Sequence, residues 1–195
     1  MPWFDDSDQG FLFTYIMIRS GLILPLRLCF LMWLIFALEY TLQLDLGFLG
    51  IYPMHVTGLI GVFTAPLLHG NFSHLVSNSI PLLVLGGSLF FFYPNIALRV
   101  FLYAYFFTNI LVWIFGRPFY HIGASGLIYA LASFLVFYGF FNRNIKSVVI
   151  SAITILFYGS MANNLFIFDA RISWESHLMG AVVGLASAII FAKKK

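Results

Sequence analysis

The stretch SGLIYALASFLVFYGFF, Ser125 to Phe141, runs seventeen residues without a charge. A bilayer core about 30 Å thick needs roughly 20 apolar residues in helical form, with about 17 as the lower end. The stretch therefore reads as a short membrane-spanning helix that opens on a serine between small residues. Outward from it, comparable apolar runs lie near 26–44, 72–93, 96–115, 147–167 and 176–192. Turn signals part them at Tyr93-Pro94-Asn95, Gly116-Arg117-Pro118, Asn142-Arg143-Asn144 and Asp169-Ala170-Arg171. Six spans follow, and the fold class expected is an all-α membrane protein, a six-helix bundle.

Composition agrees. Of 195 residues, 62% are hydrophobic and 9% charged, against roughly 45–50% and about 25% in soluble domains. Lipid is the solvent such a surface requires. The net charge of +3 is spread between apolar runs and forms no basic stripe, so no nucleic-acid partner is expected. Cys29 is the single cysteine; it reads as a small buried hydrophobe. The start, MPWFDDSD, is acidic where a signal peptide is basic, so no cleaved leader is expected.

Residues 11–24 are apolar but interrupted by Arg19, with Arg27 soon after. They read as an interfacial helix leading into the first span rather than as a seventh span. The organisation expected is thus an N-terminal interfacial segment 1–25, a membrane domain 26–192 and a basic tail 193–195. Residues 45–71 are apolar yet broken by five Gly and two Pro. They read as a loop packed on the bundle at the membrane surface, since irregular backbone at that depth must be covered by protein or line a wet cavity.

With six spans, Arg19, Arg27, Arg99, Arg143, Lys146 and Lys193 to Lys195 share one side, and only Arg117 and Arg171 face the other. The positive-inside rule then puts both termini in the cytoplasm, and the expected location is a multi-pass position in a bacterial plasma membrane. The two halves of the chain do not repeat, which argues against an inverted-repeat transporter.

Against that basic face stands a polar one. His69, His74, His121 and His177 fall near span ends on the non-cytoplasmic side, and His55 lies in the long loop there. Ionisable groups at membrane depth are functional hypotheses by default. His74 and Asn78, four apart, share one helical face, and both can donate hydrogen bonds. Ser125 sits in Gly123-Ala124-Ser125-Gly126, exposed by its small neighbours, and the first-turn N–H groups there suit a developing oxyanion. From Ser125 to Phe141 is about 25 Å, short of the bilayer core. Ser125 then starts below the surface, at the bottom of a recess that water can fill. His177 precedes Gly180 and Gly184, whose spacing invites close approach of another helix. If that helix is the fourth, His177 reaches Ser125. A serine nucleophile needs such a base. Asp169 and Glu175, read as last-loop residues, and Glu39 at the end of the first span are not placed as a third member, so a Ser–His dyad is expected. Tyr129, one turn below Ser125, can stack on the imidazole.

Three motifs in three spans, His69-x4-His74-x3-Asn78, Gly123-x-Ser125-Gly126-x2-Tyr129 and His177-x2-Gly180-x3-Gly184, resemble those of the rhomboid family of intramembrane serine proteases. The resemblance implies a serine endopeptidase with Ser125 as nucleophile and His177 as general base. It implies His74, Asn78 and the Ser125 N–H as oxyanion donors, with His69 in support and Tyr129 packed on the catalytic His. Single-pass membrane proteins would be the substrates. No cofactor or metal is implied. The long first loop and the segment from Phe166 to Glu175 would correspond to a lateral anchor and a lid. Two positions depart from the family pattern. A Trp-Arg pair common in the first loop is replaced by His55-Val-Thr-Gly-Leu-Ile-Gly, and Ser176 stands where Ala is frequent. Competing expectations are a non-catalytic relative that binds client helices, a metal or haem protein using His69, His74 and His177, and a small transporter. The sequence sets no oligomeric state.

Overall fold

The computed structural model describes residues 6–166 and 173–192, and the side chains of 22–163, 165 and 173–192. Its helices are α1 (Asp6–Leu42), α2 (Gly61–Thr64), α3 (Phe72–Phe92), α4 (Pro94–Phe115), α5 (Ser125–Asn142), α6 (Ile145–Tyr158) and α7 (Trp174–Ala192). Short 3-10 turns occupy Gly47–Leu49, Val56–Ile60, Ala65–Leu67 and Gly159–Phe166. Among the described residues six helical segments are long and apolar enough to cross a membrane: Leu22–Leu42, Phe72–Phe92, Pro94–Phe115, Ser125–Asn142, Ile145–Asn163 and Trp174–Ala192. The chain is an integral, multi-pass membrane protein. The six expected spans agree with these to within a few residues, except that the far end of the fifth, at 167, lies outside the described residues.

The segment before the first span is helical and continuous with it. Residues 11–24 are not a separate element, because α1 is continuous from Asp6 to Leu42 with Pro25 inside it. Proline removes a backbone hydrogen bond and crowds the preceding turn, but a neighbouring helix in a membrane can accommodate it. Here Gly86 of α3 does so: a Cβ on Gly86 would lie 2.8 Å from the Pro25 ring. The adjacent Gly87 leaves room in the same way for Leu22.

The bundle is apolar on both sides. Leu82, Leu89, Val100, Leu131 and Phe134 have no exposed surface, and they form the centre between α3, α4 and α5. Outward, Phe30, Leu156 and Phe157 are exposed, an arrangement costly in water and neutral in lipid. The α5–α7 pair makes the most extensive helix contact. It is glycine-mediated: a Cβ on Gly180 would lie 2.1 Å from the Gly126 carbonyl, and one on Gly184 2.2 Å from that of Ala130.

The loop between α1 and α3 packs on the bundle as expected, and the device that holds it is a stripe on α4. Tyr105, Asn109 and Trp113 recur every fourth residue and so share one face. Tyr105 Oη donates to the Phe63 carbonyl at 2.6 Å, Asn109 Nδ2 to Val62 at 3.0 Å and Trp113 Nε1 to His55 at 2.9 Å. Irregular backbone is thereby paired at depth. Ile51 also exchanges backbone hydrogen bonds with His121, 2.9 and 2.8 Å, tying this loop to the one before α5.

Candidate active site

The helix starts on one end of the bundle decide the site. Asn71 caps α3, its side chain accepting from the His74 N–H at 2.8 Å, which fixes His74 in the first turn. Asn144 caps α6 in the same manner at the opposite end. Helix α5 has no side-chain cap; it begins after Ala124 with Ser125 as its first residue. The N–H groups of its first turn therefore remain available. Ser125 is half-buried and lines a cavity of about 580 Å³.

His177, in the first turn of α7, places Nε2 3.1 Å from Ser125 Oγ. Tyr129 stacks on that imidazole with ring centroids 4.2 Å apart and planes 12° from parallel. Its hydroxyl donates to the Met161 carbonyl at 3.0 Å, so the tyrosine is anchored at both ends. The close contacts of Gly180 with the Gly126 carbonyl and of Gly184 with the Ala130 carbonyl bring α5 and α7 near enough for this pairing.

His74 and Asn78 line the same cavity. Gly123 has φ +105°, a left-handed conformation, and a Cβ there would lie 2.7 Å from the His74 ring. Glycine is thus needed at 123 twice, for its backbone and for the imidazole laid against it. Asn78 Nδ2 donates to its own helix at the His74 carbonyl, 2.9 Å, which leaves its second N–H for another acceptor. His69 stands behind, almost fully buried, with its ring 5.0 Å from that of His74. Burial, with the nearby His74 adding, lowers the His69 pKa to about 4 despite the Leu67 carbonyl. The ring is neutral at physiological pH.

Two arrangements had no signal in the sequence. Glu175 is not a last-loop residue; it belongs to the first turn of α7 and is buried, 2% exposed. Its carboxylate accepts from the Arg117 guanidinium in a two-pronged ion pair, which links the loop before α5 to the helix carrying His177. Alongside, His121 Nδ1 meets Ser173 Oγ at 2.6 Å, and Ser173 Oγ meets Ser176 Oγ at 2.6 Å. His121 Nε2 reaches the Arg117 carbonyl at 3.0 Å. Burial lowers the His121 pKa, against the opposing pull of that carbonyl and of Glu175. Among the described residues, no three His, Cys, Asp or Glu side chains converge as metal ligands would. Asp169, most of the expected lid and the basic tail lie outside the described residues. His55, in the long loop, packs edge-on against Tyr52 and does not line this cavity.

The Rhomboid domain family matches residues 56–194. The chain belongs to the rhomboid family. It is also 36% identical over 160 residues to proteins of Mycobacterium bovis and Mycobacterium tuberculosis, covering 73% of this chain and 63% of theirs. A Mycobacterium leprae protein is 31% identical over 179 residues, 83% of this chain and 68% of its own. Each of these is named as uncharacterized. This rhomboid therefore spans less than two thirds of the length of the first two relatives.

Proposed function

We propose that this rhomboid is an intramembrane serine endopeptidase that cleaves membrane-spanning segments of other proteins by a Ser125–His177 dyad. The observation that carries the reading is the 3.1 Å approach of His177 Nε2 to Ser125 Oγ, inside a cavity at the head of a short span, with Tyr129 stacked on the base. Nε2 takes the hydroxyl proton as Oγ attacks the scissile carbonyl. The tetrahedral oxyanion is met by the Ser125 N–H, the second N–H of Asn78 and the His74 ring. His177 returns the proton to the leaving amine, and water admitted through the same cavity then hydrolyses the acyl-enzyme. Glu175, held by Arg117, is occupied elsewhere, which favours a dyad over a triad.

In this reading the cavity end faces away from the cytoplasm and both termini lie within it. The substrates are single-pass proteins whose helix can unwind at that depth. The test pairs a fluorophosphonate probe with a model transmembrane substrate in proteoliposomes. Wild type should be labelled and should cleave; Ser125→Ala should do neither. Equal cleavage by both would remove the dyad. An unlabelled, inactive wild type that still binds the substrate helix would favour the non-catalytic, client-binding alternative.

A further inference from the structure

At the end of the bundle opposite Ser125, where α3 gives way to α4 and α5 to α6, a second cavity of about 370 Å³ opens. Its volume is that of a small-ligand site. Arg99 and Lys146 reach it from different helices, together with Tyr93, Asn95, Asn142 and Asn144. No acidic side chain lines it, and neither cation has a carboxylate partner among the described residues.

The two cations are positioned rather than loose. Arg99 lies over the Phe191 ring at 5.3 Å and donates once, to the Asn95 carbonyl at 3.1 Å. Lys146 lies over Phe92 and Tyr93 at 5.5 and 5.7 Å and donates once, to the Phe92 carbonyl at 2.7 Å. Guanidinium carries five donors and ammonium three, so most remain. Tyr93 is only 8% exposed, and its hydroxyl has no well-formed hydrogen bond. The adjacent Ser147 Oγ is engaged by Asn142 Nδ2 at 3.1 Å. Helices α4 and α6 both begin here, adding the positive ends of two dipoles.

Donors, two fixed cations and no carboxylate match one ligand chemistry, a net-anionic phosphate group. We propose that this cavity binds the phosphate of an anionic phospholipid headgroup. The site sits where the α3–α4 and α5–α6 turns meet the headgroup layer, so the acyl chains can lie along the exposed apolar flanks of α3 and α6. Basic pockets between spans recognise such headgroups by this chemistry. The inference does not depend on proteolysis or on which way the bundle faces.

Native mass spectrometry of the full chain, titrated with phosphatidylglycerol and with phosphatidylcholine, tests it. Wild type should retain phosphatidylglycerol in preference. Arg99→Gln and Lys146→Gln should each weaken retention about fivefold, and the pair should nearly abolish the preference. Tyr93→Phe, which removes one hydroxyl and preserves the ring, should weaken it by a smaller factor. Arg143→Gln changes a cation of the same turn that lies outside the cavity and should leave retention unchanged. Inorganic phosphate that fails to displace the lipid assigns the site to headgroups; displacement at equal concentration would assign it to soluble phosphate. Equal retention by wild type and the double variant overturns the site, as does an equal loss in Arg143→Gln, which would mean diffuse surface charge.

Discussion

Asn78 shows how one residue divides its labour. One amide hydrogen closes onto its own helix at the His74 carbonyl, and that bond aims the other toward the cavity. Loss of an oxyanion donor costs on the order of 10²–10³ in rate. Asn78→Ala should lower kcat by about that factor with KM little changed, measured on a transmembrane substrate in liposomes; an unchanged kcat would refute the assignment. His69 has a different consequence. Its folded pKa of about 4 lies below the ordinary 6.5, so the unfolded chain binds the proton first. The stability this neutral ring contributes is complete above pH 6.5 and is lost as pH falls toward 4, at up to about 1.4 kcal/mol per pH unit. His121 acts in the same direction. His69→Gln should therefore lose less unfolding temperature between pH 7 and 5 than wild type; matching losses would sink this account.

At the scale of elements, the α5–α7 contact sets the site. A methyl on Gly180 would meet the Gly126 carbonyl at 2.1 Å, which is backbone and cannot turn aside. Gly180→Ala should push α7 off α5, separate His177 from Ser125 and abolish cleavage. Gly159→Ala, whose Cβ meets only the Ile155 side chain at 3.5 Å, should be active. Cleavage by Gly180→Ala at the rate of Gly159→Ala would show that the two helices need not touch. The Arg117–Glu175 pair joins the loop before α5 to α7 from the outside of that contact. Removing the partner of a buried charge is commonly worth 3–5 kcal/mol, less here because Arg117 is 36% exposed. Arg117→Ala should be destabilised by about 2 kcal/mol, whereas Arg117→Ala with Glu175→Gln should recover part of that loss. Thermal unfolding in a double-mutant cycle measures it, and strict additivity would mean the pair is not coupled.

For the whole molecule, six spans place the two ends of the bundle on opposite sides of the membrane, and the positive-inside rule predicts that the end rich in cations faces the cytoplasm. Cys29 is the sole cysteine and is buried, which gives a silent background for labelling. In intact cells an impermeant maleimide should modify Tyr120→Cys, exposed near Ser125, and spare Arg143→Cys at the far end. The reverse pattern would invert the orientation and move the proposed proteolysis to the cytoplasmic face.

Much of this was legible in one dimension because lipid is a simple solvent. A segment of about 20 apolar residues has little choice but to be a helix, so span count and approximate limits followed from composition and turn residues. The Ser125, His177 and Tyr129 cluster was also foreseeable, because glycine spacing announces where helices touch. Folding decided what depends on distance between remote side chains. Pro25 is absorbed inside α1 because Gly86 of another helix makes room. Glu175 is a buried helix residue because the guanidinium of Arg117, fifty-eight positions earlier, neutralises it. The loop after α1 is held by a stripe on α4 whose Tyr, Asn and Trp look like ordinary span residues when read in order. Local patterning specifies elements, but pairing of polar groups across the bundle is a three-dimensional constraint, and no periodicity records it.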